Sequence, residues 1–267
     1  TVDKATGALN SLCLDGEELL GSPVTLSLFR PATDNDNRDQ MGAKLWRAAG
    51  LDALTQKVVS LKESKTSTTA QVDILNVKGD KVGDAIFTYT LNRDGSVKVR
   101  TTFQPDTTLV KSMARLGLTF EVEDAYDHIT YLGRGEHETY IDRNQSGKIG
   151  IYETTPERMF HYYVVPQSTG NRTDVRWMKL TDDAGKGCWV ESDSPFQFST
   201  IAFPDAMLEK ARHINELERN GKITVHLDAK QAGVGTATCG PGVQSQYLVP
   251  LTKQTFDFTI YPVKNRE

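Results

Sequence analysis

The chain has 267 residues, 38% hydrophobic and 25% charged, with a formal net charge of −4 and a pI near 5.8. Such a composition belongs to an ordinary soluble globular protein, and the length is ample for a sizeable core. It leaves no basic stripe for a nucleic-acid partner, and no apolar run is long enough to span a bilayer.

The first residues, TVDKATGALN, have neither the basic n-region nor the apolar h-region of a signal peptide. ALNSLCLDGEELL (8–20) reads as a hairpin turning at Asp15-Gly16. PVTLSLF (23–29) reads as a strand, and it runs straight into LFRPATDNDNRDQ (28–40), a knot of Arg, Pro, Asp and Asn. Asp and Asn build turns unaided by bonding nearby backbone amides, but the same carboxylates and amides also suit paired sugar hydroxyls. A calcium loop fits less well, because the Gly and the distal Glu of an EF-hand are missing. DQMGAKLWRAAG (39–50) predicts a short helix with Met41, Leu45, Trp46 and Ala49 near one face and Gly50 as its cap.

AIFTYTLNRDGSVKVRTTF (85–103) carries the clearest alternation, two strands around Asp94-Gly95. YLGRGEHETYIDR (131–143) gathers Arg134, Glu136, His137, Glu138, Tyr140, Asp142 and Arg143. It is either a salt-bridged turn or, less readily, an acid–base cluster. MFHYYVVPQSTGNRTDVRW (159–177) sets Phe160, Tyr162, Tyr163 and Trp177 among Gln167, Asn171, Arg172 and Arg176. Aromatic faces beside planar polar groups suit sugar rings, although strands carry aromatics for their cores in any case. TDVRWMKLTDDAGKGCWVES (173–192) predicts a hairpin with Trp177 and Trp189 on its arms, and PDAMLEKARHINELERNG (204–221) a helix from Pro204 to Gly221. KITVHLDA (222–229) and QTFDFTIYPV (254–263) predict strands. Between them AGVGTATCGPGVQSQY (232–247) is a Gly-rich loop. Its GxG lacks the rest of a nucleotide fingerprint, so it is read as presenting Thr238 and Cys239 to a neighbour. Cys13, Cys188 and Cys239 lie far apart with no zinc spacing. The pattern predicts one all-β unit over residues 1–267, a large antiparallel sandwich with one or two short helices.

Several stretches, in order, resemble one family. GALNSLCLDGEELL and PVTLSLFRPATDND are similar to the opening of the C-terminal β-sandwich domain of family 2 glycoside hydrolases of the bacterial β-galactosidase type. Asp34, Asn35 and Asp36 match that family's motif, while Pro31-Ala32 stands reversed. WRAAGL (46–51) resembles the segment that follows. Gly133, Gly135, Glu138, Tyr140, Asp142 and Arg143 match a later turn, where Glu136 replaces a usual Pro. YYVVPQSTGNRTDVRW and GVGTATCGPGVQSQY complete the series.

The resemblance implies a galactose mutarotase-like supersandwich, packed beside a (β/α)₈ barrel and other domains of the same parent chain. The barrel would carry both catalytic carboxyls, about 5 Å apart in a retaining enzyme. This chain, lacking a barrel pattern, is expected to be inactive alone. The resemblance further implies that Asp34, Asn35, Asp36, Asn37 and Arg38 border an active-site loop, and that Thr238 and Cys239 stand at the pocket wall for a β-galactoside. No cofactor or metal is assigned to this domain, since the magnesium and sodium sites of the parent enzyme lie elsewhere. Oligomeric state and compartment, bacterial cytoplasm or periplasm, stay open. Two competing readings remain. One is a stand-alone aldose 1-epimerase, with a His and a Glu drawn from His128, His137, His161, Glu138 and Glu153. The other is a carbohydrate-binding module using the 160–177 aromatics.

Overall fold

A computed structural model of the protein describes residues 1–14 and 16–263. The first expected hairpin is a two-residue ribbon, β1 (Cys13–Leu14) on β2 (Glu17–Glu18). Asp15 of its turn lies outside the described residues. The remaining strands are β3 (Thr25–Ser27), β4 (Thr55–Glu63), β5 (Ser67–Leu75), β6 (Lys81–Leu91), β7 (Val97–Pro105), β8 (Arg115–Glu123), β9 (His128–Gly135), β10 (Lys148–Thr154), β11 (Arg172–Thr181), β12 (Gly187–Ile201), β13 (Lys222–Gln231) and β14 (Gln254–Val263). These form one antiparallel sheet in the order β10-β9-β11-β12-β14-β7-β6-β5-β4, with a branch from β12 through β13 and β8 to β3. The fold is therefore all-β and antiparallel, as the alternation predicts.

The branch comes from a change of partner along β12. Its residues Gly187–Glu191 pair with β14, and Gln197–Ile201 pair with β13. One contiguous core fills the space between the two arms, including Phe87, Phe103 and Phe258 from one and Phe120 and Leu227 from the other. Burying each such phenylalanine stabilises the fold by roughly 1.5–3 kcal/mol. Period two is visible in the burial of β7, where Val97, Val99, Thr101, Phe103 and Pro105 face inward.

Three hairpins close with the same device, at residues 76–80, 92–96 and 182–186. An Asx residue opens each, its carbonyl accepts the N–H of a glycine three residues on, and that glycine is left-handed: Gly79 (φ 83°), Gly95 (φ 83°) and Gly185 (φ 78°). This is the three-residue loop with a left-handed third position. Gly95 isolates the backbone effect, because a Cβ there meets only Pro262 at an ordinary 3.8 Å. Gly95→Ala is expected to cost about 1–2 kcal/mol from conformation alone. A shift in the urea midpoint at constant slope checks it, and Gly95→Asn should lose less.

The helices are α1 (Asp34–Arg38), α2 (Ala43–Ala48), α3 (Pro156–Met159) and α4 (Asp205–Lys210). Helix α2 falls inside the expected 39–50 segment and buries Trp46, whose Nε1 donates to Ser112 Oγ at 3.1 Å. Gly50 (φ 68°) ends it, with the Leu51 N–H donating to the Trp46 carbonyl and the Gly50 N–H to that of Arg47. The expected 204–221 helix is much shorter. It stops at Ala211, whose backbone is extended, and a 3₁₀ turn follows at Ile214–Glu216. The Glu216 carboxylate takes the Arg212 N–H at 2.9 Å and the His213 ring at 2.8 Å, so side chains replace the helical ladder there. Helices α1 and α3 were not expected.

Candidate functional site

The polar knot is organised around Arg30, whose side chain is fully buried. All five guanidinium donors are used. Nε and Nη2 donate to Asp36 at 3.0 and 2.7 Å, Nη1 to Gln231 at 3.1 Å and the Ala232 carbonyl at 2.8 Å, and Nη2 also to the Gly233 carbonyl at 2.8 Å. The guanidinium lies 5.5 Å from the Trp46 ring centroid and 5.7 Å from that of Tyr140. Burial works against its charge, but Asp36 foremost, with Tyr140 and Asp142, outweighs burial and holds the group protonated. Asp36 in turn accepts the Thr33 N–H at 2.9 Å, while its own N–H donates to Thr33 Oγ1 at 3.1 Å. This reciprocal capping box makes Asp34–Arg38 a helical turn instead of an irregular loop.

Helix α1 grips the Gly-rich loop. Asn35 Nδ2 donates to the Gly235 carbonyl at 2.8 Å, and its Oδ1 accepts from both the N–H (3.1 Å) and the hydroxyl of Thr238. From the other side Asp142 accepts the N–H groups of Val234 and Gly235 at 3.0 and 2.8 Å. Asp39 accepts that of Val243 at 2.7 Å. Glycine lets the loop come this close to the carboxylates: a Cβ at Gly233 would stand 2.4 Å from Asp142, and one at Gly242 2.5 Å from Asp39, pushing each carboxylate off its N–H donors.

These elements frame an open cleft of about 200 Å³, lined by Asp34, Asn35, Glu138, Arg143, Tyr163 and Thr238 among others. Glu138 is the most heavily bonded group in it. Its carboxylate accepts from the Tyr163 hydroxyl, Arg143 Nη2 (2.7 Å), Thr169 Oγ1 (2.9 Å) and the Gly170 N–H (3.0 Å). Burial alone would raise this carboxyl, but the four donors, Tyr163 foremost, hold it below the ordinary glutamate range. A folded-state pKa below the unfolded one stabilises the fold above about pH 4.3, and that stabilisation is lost as pH falls through the folded value. Glu138→Gln should therefore lose about 1–3 kcal/mol at neutral pH and show a flatter acid limb. Urea titrations from pH 7 down to pH 3 check both.

Of the residues singled out in the sequence, Asp34, Asn35 and Thr238 line the cleft. Asp36 is buried beneath it on Arg30. Asn37 accepts from Arg47 at 2.9 Å, tying α1 to α2. Arg38 is exposed, and Cys239 is exposed on the Gly-rich loop outside the cleft lining.

The 131–143 cluster divides. Glu138, Tyr140 and Arg143 face the cleft, Asp142 holds the loop, Arg134 pairs with Asp174, and His137 bonds Ser146. The aromatics of 159–177 also separate. Phe160 joins Phe203 and Leu208 in a small satellite core, Tyr163 serves the cleft, and Trp177 stacks on Trp189 at 4.3 Å. Asn171, in a glycosylation-like tripeptide, is buried. Residues the sequence reading missed are Arg30 and Thr33. The Thr33-x-x-Asp36 spacing was the available signal, an unusual capping box with Asp at its third position. Among the described residues no group of three or more His, Cys, Asp or Glu side chains is placed to hold a metal ion, and no helix is long and apolar enough to cross a membrane.

Comparison with known proteins gives a family and a fold likeness. A family model described as "Beta galactosidase small chain" matches residues 1–261. The chain is 30% identical over 240 residues to a beta-galactosidase of Priestia megaterium, covering 87% of this chain and 22% of that protein. It is 27% identical over 279 residues to a beta-galactosidase of Kluyveromyces lactis, covering 97% and 26%. The chain thus spans about a quarter of the length of these relatives. Among solved structures, galactose 1-epimerase from Lactobacillus acidophilus is similar with a TM-score of 0.46 and 10% identity, over 98% of this chain and 90% of that one. A GalM/aldose epimerase homologue from C. elegans gives 0.45 and 13%, over 100% and 82%.

Proposed function

The chain belongs to the beta-galactosidase small chain family, and on that premise we propose that it is the C-terminal domain of a longer β-galactosidase-like glycoside hydrolase. It packs on the catalytic part of the parent and lends one wall to its sugar pocket. The observation that carries this reading is the joining of α1, the 138–143 turn and the Gly-rich loop into a single bonded wall around an open cleft. Asp34, Asn35, Thr238 and Tyr163 offer that cleft carboxylate, amide and hydroxyl groups suited to sugar hydroxyls.

The cleft by itself is poorly equipped for hydrolysis. A retaining glycosidase uses two carboxyls about 5 Å apart, one as nucleophile and one as acid/base. The cleft's two carboxyls are Asp34 and Glu138, and Glu138 is already held ionised by four donors. A carboxylate so held is a poor general acid. The catalytic pair is therefore supplied by the rest of the parent, which also binds whatever magnesium or sodium the enzyme uses. The β-galactoside enters between that part and this wall, with Cys239 at the rim offering less apolar surface than an aromatic side chain.

Hydrolysis of nitrophenyl β-galactoside by the 267-residue chain, beside the same chain joined to its missing part, tests the reading. Activity only in the longer chain is the expected result, and Cys239→Trp should then shift the kcat/KM ratio between substrates with different leaving groups. Turnover by the short chain alone would overturn it.

A further inference from the structure

The fork of the sheet is a second place of interest, on the other side of the 140–144 turn. Because β12 leaves β14 after Glu191 and joins β13 only from Gln197, the intervening residues Ser192–Phe196 cross a gap. Gln254–Phe258 of β14 and Ala229–Gln231 of β13 have no strand neighbour on that side. Two adjoining clefts of about 270 Å³ each fill the gap and share Pro195, Phe196, Ala229 and Lys230. Each is close to the roughly 300 Å³ at which small-ligand pockets begin. None of their residues lines the Asp34 cleft.

The chemistry of the groove is neutral. Its carboxylates are occupied, Asp174 by Arg134 and both Asp193 and Asp257 by Lys98. What remains are amides and hydroxyls, Asn144, Gln197, Gln246, Ser192 and Ser194, beside the rings of Tyr247 and Phe196. Gln197 is 7% exposed and its Oε1 takes the Asn171 amide at 2.8 Å. Its Nε2 has no partner among the described residues, although the side chain lines the groove. With Oε1 fixed on Asn171 and Nε2 free toward the open groove, the amide is a preset donor for a ligand. Lys230, at the junction of the two clefts, has no ion pair among the described residues and adds a flexible donor.

We propose that this fork is a second, non-catalytic groove that binds a neutral oligosaccharide of linked hexopyranoses. One pyranose lies against the Tyr247 ring with its hydroxyls on Gln197 Nε2 and Gln246, and the next extends past Lys230 toward Ser192 and Ser194. Amides bond vicinal hydroxyls in pairs, and an aromatic ring covers the C–H face of the sugar. An acidic glycan would find no net positive charge, because Lys98 serves two carboxylates and the one it leaves over balances Lys230, and so gains nothing over a neutral one.

Amide NMR titration of the ¹⁵N-labelled 267-residue chain tests this, with β-1,4-galactotriose, cellotriose and maltotriose as probes and trigalacturonate as the acidic comparator. At least one neutral trisaccharide should shift the Gln197 side-chain amide and the backbone amides of Lys230, Gln246 and Tyr247. Gln246→Ala and Tyr247→Ala should each weaken its Kd at least about tenfold, and Lys62→Ala, at an exposed position on β4, should leave it unchanged. Gln246 is exposed, so that variant stays informative if Tyr247→Ala fails to fold. No binding by any neutral probe, shifts centred on Asp34 and Thr238, preference for the acidic comparator, or wild-type affinity in Gln246→Ala would overturn the proposal. The readout is independent of hydrolysis, so failure of the hydrolase reading and failure of this one are separable.

Discussion

Asp36→Ala should lower the unfolding free energy by about 3–5 kcal/mol, the cost of breaking one partner out of a buried ion pair. The size follows from what is left behind. Arg30 has no exposure, and its Nε and Nη2 would lose the acceptor at 3.0 and 2.7 Å. The remaining acceptors are fixed carbonyls and Gln231, which cannot move to replace a carboxylate. The same substitution removes the acceptor of the Thr33 N–H and so half of the capping box of α1. The urea midpoint should fall with little change in slope. Replacing both partners, Arg30→Met with Asp36→Leu, should recover much of the loss, because the pair's mutual attraction mainly offsets its own desolvation. A loss under about 1 kcal/mol in Asp36→Ala would place this pair with exposed salt bridges and remove the Arg30 network as the anchor of the cleft.

The sheet was legible because its signals are local and repeated. Alternation in 85–103, 173–192 and 254–263 reappears as β6–β7, β11–β12 and β14, and the Asx and Gly residues in their loops do the turning. Register within a hairpin follows from its turn. The fork does not, since the exchange of β14 for β13 along β12 joins residues far apart in sequence and carries no local mark. Helix α1 was illegible for a different reason. Asp and Asn favour turns over helix, and it takes the Thr33 capping box together with buried Arg30 on Asp36 to make a helical turn of DNDN. The long 204–221 helix was over-read from composition, where Glu216 bonds the backbone in place of a further turn.

Of the residues read together in the sequence, some meet in the fold and others part. Asn35 and Thr238, 203 positions apart, do meet. Asp36 lies beside Asn35 in sequence but is withdrawn into the core. Which of Asp34 and Asp36 faces solvent is decided by the helical phase of α1, and D-N-D-N alone does not set that phase without the Thr33 cap and Arg30. The ordered motifs were informative because each element of the wall is bonded to the next. A change in one would have to be matched in its partners.

That interdependence gives the second large effect. Asp142→Ala is expected to reduce kcat/KM of the restored full-length enzyme by roughly ten- to a hundredfold, with a smaller effect on stability. Asp142 is the clamp on the far side of the Gly-rich loop from Asn35, accepting the Val234 and Gly235 N–H groups at 3.0 and 2.8 Å. Each hydrogen bond to a charged acceptor is worth about 1.5–3 kcal/mol, and 1.4 kcal/mol of lost transition-state stabilisation is a factor of ten in rate. Without the clamp the tip of the loop is held by Asn35, with Arg30 and Asp39 holding only its ends, and a displacement of about 1 Å at a pocket wall is enough for a hundredfold loss. Gly235 is half-buried, so water can take over its N–H and limit the loss of stability, while the Val234 N–H is left buried. Asp142→Asn keeps one acceptor and turns an NH₂ toward the other N–H, so it should fall between wild type and alanine. The pattern across substrates is the sharper reading. If the loop lines the pocket for the leaving group, substrates that differ there should lose unequally. If all of them retain wild-type kcat/KM within about twofold, the Gly-rich loop is a structural tie and the pocket lies elsewhere in the parent.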